Sequence, residues 1–189
     1  MIVLIDNYDS FTYNLLDLVE QMDVECKVVR NDQTHLGELI TWKPSGLILS
    51  PGPGKPAESG FLMDFIRYFH NKIPIFGVCL GQQAIGEFFG AQLVHAMRPM
   101  HGKTSTIFFE NHPMYADVEA PCSMMRYHSL VLQNLPSDLE CTAKTEDEEI
   151  MSIAHRELPI WAVQYHPESV LSPSGPQILR NWFAYFSVT

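Results

Sequence analysis

Basic residues are scarce in this chain, long apolar runs are missing, and its cysteines form no paired motif. Each absence removes a class of function. Only 12 lysines and arginines face 22 aspartates and glutamates in 189 residues, a net charge of −10. That balance argues against nucleic acid or an anionic membrane as partner, since both are bound through basic patches. No apolar stretch approaches the ~18 residues that a bilayer-crossing helix requires. The opening residues, Met1-Ile2-Val3-Leu4-Ile5-Asp6, carry no basic leader and turn polar at once, so they read as a strand rather than a signal peptide. Cys26, Cys79, Cys122 and Cys141 show neither C-x-x-C spacing nor clustering, which argues against structural zinc. There is no G-x-x-x-x-G-K-[ST] phosphate loop, no internal repeat and no low-complexity tail. The expectation is a soluble, cytoplasmic protein with reduced thiols, needing no metal and no organic cofactor.

What is present suits a single domain over residues 1–189 with a sizeable core. Apolar residues make up 46%, an ordinary globular share, whereas charged residues at 18% leave a surface that a partner could cover in part. Ile2–Ile5 is a continuous apolar run, as expected of a strand buried on both faces. Phe11, Leu15, Leu18, Val19 and Met22 then recur at helical spacing, with Asp9 or Ser10 placed to cap that helix. Cys26–Val29, Gly46–Leu49 and Ile73–Val78 are further strands, separated by helices around Leu36–Trp42 and Phe61–Phe69. This alternation predicts βαβ units: an α/β fold with an open, mostly parallel sheet flanked by helices.

The second half reads differently. Ala91–His95, Thr104–Phe109, Ser123–Tyr127, Leu139–Ala143, Met151–Ala154 and Ile160–Tyr165 are short strand-like runs, expected as antiparallel or mixed additions to the sheet. Pro176–Phe186 closes the chain as an amphipathic helix. Ligand sites in open α/β sheets lie beyond the carboxyl ends of the strands. Four polar segments follow strands here, Asp6–Ser10, Ser50–Gly60, Cys79–Gln83 and His166–Ser169, and all can converge on one rim.

Cys79 is the strongest candidate on that rim. It ends an apolar run and is bracketed by Gly77 and Gly81, the cysteine version of the G-x-S-x-G elbow. Such a turn exposes the side chain, and the helix N-terminus behind it favours the nucleophilic thiolate. Downstream, His166 and Glu168 end another apolar run two residues apart, so Glu168 can fix the tautomer of His166. Nucleophile, base and acid complete a triad. The rigid loop Ser50-Pro51-Gly52-Pro53-Gly54 reads either as a plain turn or as a frame whose backbone N–H groups face an oxyanion. Asp6–Ser10 reads as the cap of the first helix or as an acidic metal pocket; Tyr8 and Phe11 add the possibility of a protein contact.

Six motifs in order along the whole chain, Asp6–Leu15 (DNYDSFTYNL), Ser50–Gly54 (SPGPG), Gly77–Gln83 (GVCLGQQ), Met100–Lys103 (MHGK), Tyr127–Leu130 (YHSL) and Gln164–Ser169 (QYHPES), resemble the class I (triad) glutamine amidotransferase family. The likeness is to its component II proteins of anthranilate synthase and aminodeoxychorismate (para-aminobenzoate) synthase. That resemblance implies a flavodoxin-like fold and a glutaminase that passes ammonia to a chorismate-binding synthase subunit, in tryptophan or folate synthesis. It implies Cys79 as nucleophile, His166 and Glu168 as its partners, and the Leu80 and Gly54 N–H groups as oxyanion donors. Gly52, Gly54, Gln83, Ser129 and Leu130 would hold L-glutamine. Asp6, Tyr8, Asp9, Ser10 and Phe11 are the candidates for the synthase contact. Gln82, where many relatives carry histidine, lies beside the nucleophile but outside the triad. A free-standing α/β cysteine hydrolase is the alternative enzyme reading, and a non-catalytic α/β binding domain the third.

Overall fold

The computed structural model describes residues 1–188 and contains one nine-stranded sheet with five α-helices. In chain order the elements are β1 (Ile2–Asp6), α1 (Thr12–Glu20), β2 (Cys26–Arg30), α2 (Leu36–Trp42), β3 (Gly46–Leu49), α3 (Leu62–Phe69), β4 (Ile75–Val78) and α4 (Leu80–Phe89). Then follow β5 (Gln92–Phe109), β6 (Cys122–Gln133), β7 (Leu139–Thr145), β8 (Ile150–His155), β9 (Ile160–Val163) and α5 (Gly175–Tyr185). The sheet order is β2-β1-β3-β4-β9-β8-β7-β5-β6, with the first five strands parallel and the rest antiparallel. The parallel part has the 2-1-3-4-5 spatial order of flavodoxin-like sheets.

Strand alternation divides the core between the two faces. Ile2, Leu4, Ile48 and Phe76 join Leu15, Val19, Ile178, Leu179 and Trp182, so α1 and α5 cover one side. Val3, Ile5, Leu47 and Leu49 join Leu39, Phe65, Ile66, Ala84 and Ile85, so α2, α3 and α4 cover the other. Each fully buried aliphatic or aromatic side chain contributes roughly 1.5–3 kcal/mol. A sheet covered on both faces explains why β1, β3, β4 and β9 are apolar at nearly every position.

The second half differs in detail from the sequence expectation. The runs at Ala91–His95 and Thr104–Phe109 form one strand, β5, whose register against β6 shifts between His95 and Met100 and again between His101 and Lys103. Arg98, Pro99 and Gly102 at the bulges, residues that local pattern reads as a turn, hid its continuity. The run at Ser123–Tyr127 extends to Gln133, so Ser129 and Leu130 lie within β6 rather than beyond the strand. Met22 falls beyond α1. The N-cap of α1 is Phe11, not Asp9 or Ser10, because the two aspartates organise the preceding loop instead. Asp6 Oδ1 accepts from the Tyr8 and Asp9 N–H groups and from Thr12 Oγ1, while Asp9 Oδ1 accepts from the Phe11 N–H.

Candidate active site

The carboxyl ends of β3, β4 and β9, neighbours in the sheet, carry three of the segments singled out above. Cys79 directly follows β4 and adopts φ 52°, ψ −100°, a positive-φ conformation rare outside glycine. Such strain costs on the order of 1–3 kcal/mol and persists only where the surroundings impose it. Here the Cys79 N–H donates to the Val163 carbonyl (2.8 Å), and the Cys79 carbonyl accepts from Gln83 as the helix begins (3.0 Å). The flanking glycines are required by close approach. A Cβ on Gly81 would sit 2.5 Å from the Leu49 carbonyl oxygen, and one on Gly77 would sit 2.7 Å from the Gly81 carbonyl carbon.

Since β4 and β9 pair in parallel, Val78 with Val163, the chain leaving β9 delivers His166 beside the cysteine. His166 Nδ1 donates to Glu168 Oε1 at 2.6 Å, and neither side chain reaches solvent appreciably. Burial alone would lower the His166 pKa, but the interactions with Cys79 and Glu168 raise it to about 10. The Phe11 ring and the imidazole pack edge to face, 5.3 Å between centroids. The His166 N–H is tied to the Met125 carbonyl (2.9 Å), and the Met125 N–H to Ser172 Oγ (2.9 Å). Strand β6, last in sheet order, thus folds back over the rim.

The resulting pocket, about 420 Å³, is lined by Cys79, His166, Gln83, Gly52, Gly54, Ser129 and Leu130, together with Tyr8, Asp9, Ser10, Pro51, Pro53, His101, Tyr127 and His128. Every residue assigned to glutamine or to the oxyanion is there except Leu80, which is buried behind Cys79. As the first residue of α4, Leu80 keeps an N–H with no intrahelical acceptor. Gly54 holds φ 73°, a backbone its lack of Cβ permits. Asn7 ties this loop down, its N–H donating to Ser50 Oγ (2.9 Å) and its Nδ2 to the Ser50 carbonyl (2.9 Å). Among the five contact candidates, Asp6 is the exception to the rim placement: it is buried, and its carboxylate organises the loop. Tyr8 and Ser10 are exposed, and Asp9 and Phe11 partly so.

Three participants carry no sequence signal strong enough to assign them a role. Gln164 donates to Cys79 Sγ (3.4 Å) and accepts from Gln83 Nε2 (3.2 Å). Tyr127 places its carbonyl 3.9 Å from Cys79 Sγ, and its half-exposed ring stacks on His101. His128 is held neutral, its pKa pushed down to about 3 by burial and by Arg126. All three lie in the QYHPES and YHSL segments, but their roles depend on β6 meeting β9, which is a tertiary fact. Gln82 is fully buried, and neither amide atom has a protein partner among the described residues. Among the other cysteines, burial pushes the thiol of Cys26 up to about 12, that of Cys122 up to about 11, and that of Cys141 upward. Among the described residues no helix is long and apolar enough to cross a membrane, and no three His, Cys, Asp or Glu side chains are grouped to hold a metal.

Comparison with known proteins places these features in context. Residues 3–186 match the family glutamine amidotransferase class-I. The chain is similar to the aminodeoxychorismate/anthranilate synthase component 2 of Bacillus subtilis, with 46% identity covering 96% of this chain and 95% of that protein. It is 45% identical to the bifunctional protein TrpGD of Thermotoga maritima over 96% of its own length, but spans only 31% of that larger protein. Among solved structures, a Thermoplasma acidophilum protein described as belonging to GMP synthase superposes with a TM-score of 0.88 at 28% identity, covering 98% of this chain and 93% of that one.

Proposed function

Because the chain belongs to the class-I glutamine amidotransferase family, we propose that it is a glutaminase subunit that splits L-glutamine into glutamate and ammonia and delivers the ammonia to a chorismate-using synthase subunit. The names of its relatives point to anthranilate, for tryptophan, or to aminodeoxychorismate, for folate, as the product. One observation carries the catalytic assignment: the strained Cys79 at the end of β4 stands beside a His166–Glu168 pair delivered by the neighbouring strand. The reading keeps the protein in the cytoplasm and acting as one domain.

In this mechanism the Cys79 thiolate attacks the side-chain carboxamide carbon of glutamine, forming the C–S bond. The carbonyl electron pair moves onto oxygen, where the Leu80 and Gly54 N–H groups receive it; one such donor is worth roughly 3–4 kcal/mol in the transition state. Collapse breaks the C–N bond, and the imidazolium of His166 gives its proton to the departing nitrogen, releasing ammonia. A water then attacks the glutamyl thioester, giving its proton to His166. The C–S bond breaks, and glutamate leaves with the thiolate–imidazolium pair restored. The pocket wall formed by Gly52, Gln83, Ser129 and Leu130 holds the amino-acid end of glutamine.

Free ammonia is protonated and lost in water, so the rim around the pocket suits docking on the enzyme that consumes it. Exposed Tyr8 and Ser10, with Asp9 and Phe11, form the proposed contact surface. The test incubates the protein with each candidate synthase, chorismate and glutamine, and separates anthranilate from aminodeoxychorismate by mass and fluorescence. Turnover should rise on complex formation and vanish in Cys79→Ser. Absence of complex formation with either synthase would refute the partner assignment, and full activity in Cys79→Ser would refute the nucleophile.

A further inference from the structure

Behind the Ser129–Leu130 wall runs a buried polar chain that the proposed chemistry does not use. Arg126 lies on β6 between apolar neighbours and is 4% exposed. Its guanidinium pairs with the carboxylate of Glu149, itself nearly buried, and donates from Nη1 to Ser105 Oγ (3.0 Å). Glu149 Oε1 also accepts the Met97 N–H (3.0 Å) at the bulge of β5. From Nε, Arg126 donates to His128 Nε2 (3.1 Å). A guanidinium has only donors and keeps its charge, so His128 Nε2 is the lone-pair nitrogen and the single ring proton sits on Nδ1. That Nδ1–H donates to the Leu130 carbonyl (2.9 Å). The same carbonyl accepts from Gln83 Nε2 (3.1 Å), whose other N–H goes to Gln164 Oε1 (3.2 Å). With both N–H groups engaged, Gln83 keeps only its Oε1 to offer a ligand at the pocket wall.

Stability does not account for this arrangement. Replacing a buried ion pair with apolar residues of similar volume is often neutral or stabilising. What the pair does is hold the guanidinium in place, so that its Nε–H meets His128 Nε2 and keeps the imidazole turned with its Nδ1–H on the Leu130 carbonyl. We propose that Arg126, Glu149 and His128 are positioning residues for glutamine: the ion pair fixes the guanidinium that holds the His128 ring, and His128 anchors the Leu130 carbonyl that aligns the Ser129–Leu130 segment and the Gln83 amide. This inference rests on the glutaminase reading of the pocket. Burial and Arg126 also keep His128 uncharged, so it adds no second cation beside His166.

The test is the double variant Arg126→Met/Glu149→Leu, assayed in complex with a chorismate-using synthase. It removes both charges together and leaves no unpaired ion. The expected result is a folded protein with a thermal midpoint near the parent's and a KM for glutamine raised roughly tenfold, the equivalent of about one lost hydrogen bond. Meanwhile kcat and the rate of Cys79 alkylation by iodoacetamide, which lacks an amino-acid end, should stay close to the parent's. A folded double variant with an unmoved KM overturns the proposal, as does an alkylation rate that falls in step with kcat/KM. Should the double variant not fold, His128→Gln, which leaves the ion pair intact, takes the same measurements with the same expected and overturning results. A parent protein that never hydrolyses glutamine would instead overturn the glutaminase reading, which keeps the two failures distinct.

Discussion

Replacing Glu168 with glutamine tests the proposed triad at its third member, with almost no change in shape. The Glu168 side chain is fully buried, and its Oε1 takes the His166 Nδ1 proton at 2.6 Å. The amide keeps an oxygen for that hydrogen bond but removes the charge facing the imidazole. Against the lowering effect of burial, Glu168 and Cys79 together lift His166 from 6.5 to about 10, which corresponds to about 5 kcal/mol favouring the imidazolium. Without the carboxylate, burial gains weight, the imidazole loses its proton more readily, and Cys79 loses the cation beside it. Loss of the orienting acid in a triad costs up to about 10⁴ in kcat. The amide leaves the geometry intact in that case too, so the expected loss here is at least roughly 100-fold, about 2.7 kcal/mol. The assays are glutaminase turnover with the synthase bound and Cys79 alkylation at pH 7, which should also slow. Stability supplies an independent check of sign. A folded-state pKa above the unfolded value stabilises fully below about 6.5 and loses that contribution as pH rises through about 10. The parent should therefore exceed Glu168→Gln in urea resistance most at pH 6, with the gap closing toward pH 10. A variant that keeps parental turnover and alkylation at pH 7, or a gap that widens with pH, would refute the role given to Glu168.

Gly81→Ala should cost about 1–3 kcal/mol, because its Cβ meets the Leu49 carbonyl oxygen at 2.5 Å and only the backbone can yield. At roughly 2–4 °C per kcal/mol for a chain of this size, the thermal midpoint should fall measurably and turnover should fall with it. An unchanged midpoint would mean that the elbow has slack the packing does not suggest. Buried His128, held near 3, contributes the opposite pH dependence to His166. The unfolded chain takes up its proton below about 6.5 while the folded chain does not, so stability falls with acid between about 6.5 and 3. Going from pH 7.5 to 5 should cost about 2 kcal/mol through this group, and His128→Gln should lose that much less in urea titrations at the two pH values. Equal acid losses in the two proteins would contradict the assignment.

The parallel half of the fold was legible because β1, β3, β4 and β9 are buried on both faces, while only the edge strand β2 is half-exposed. Gly46–Leu49 matches β3 residue for residue, and the helix expected around Leu36–Trp42 is α2. The antiparallel half was less so. The bulges of β5 interrupt its alternation, and β6 carries Arg126 and His128 buried in the middle of a strand, where local pattern predicts apolar residues. The loop before α1 deceived for a related reason. Asp9 looks like an N-cap, yet it and Asp6 bond to the N–H groups of the loop, leaving Phe11 at the cap position with its ring against His166.

The sequence by itself determined the chemistry on offer: a cysteine between two glycines, a histidine with an acid two residues on, and a Pro/Gly loop after a strand. These are local patterns, and local backbone rules give them meaning: a tight turn needs glycine and a stiff loop needs proline. The tertiary structure decided who meets whom. Parallel pairing of β4 with β9 brings Cys79 to His166 across 87 residues of chain. The return of β6 over the rim supplies the Ser129–Leu130 wall, the Tyr127 carbonyl and, behind them, the buried Arg126–His128 pair. The orientation of the His128 ring follows from a guanidinium and a backbone carbonyl meeting its two nitrogens in a desolvated interior, and no spacing of residues along a strand encodes it.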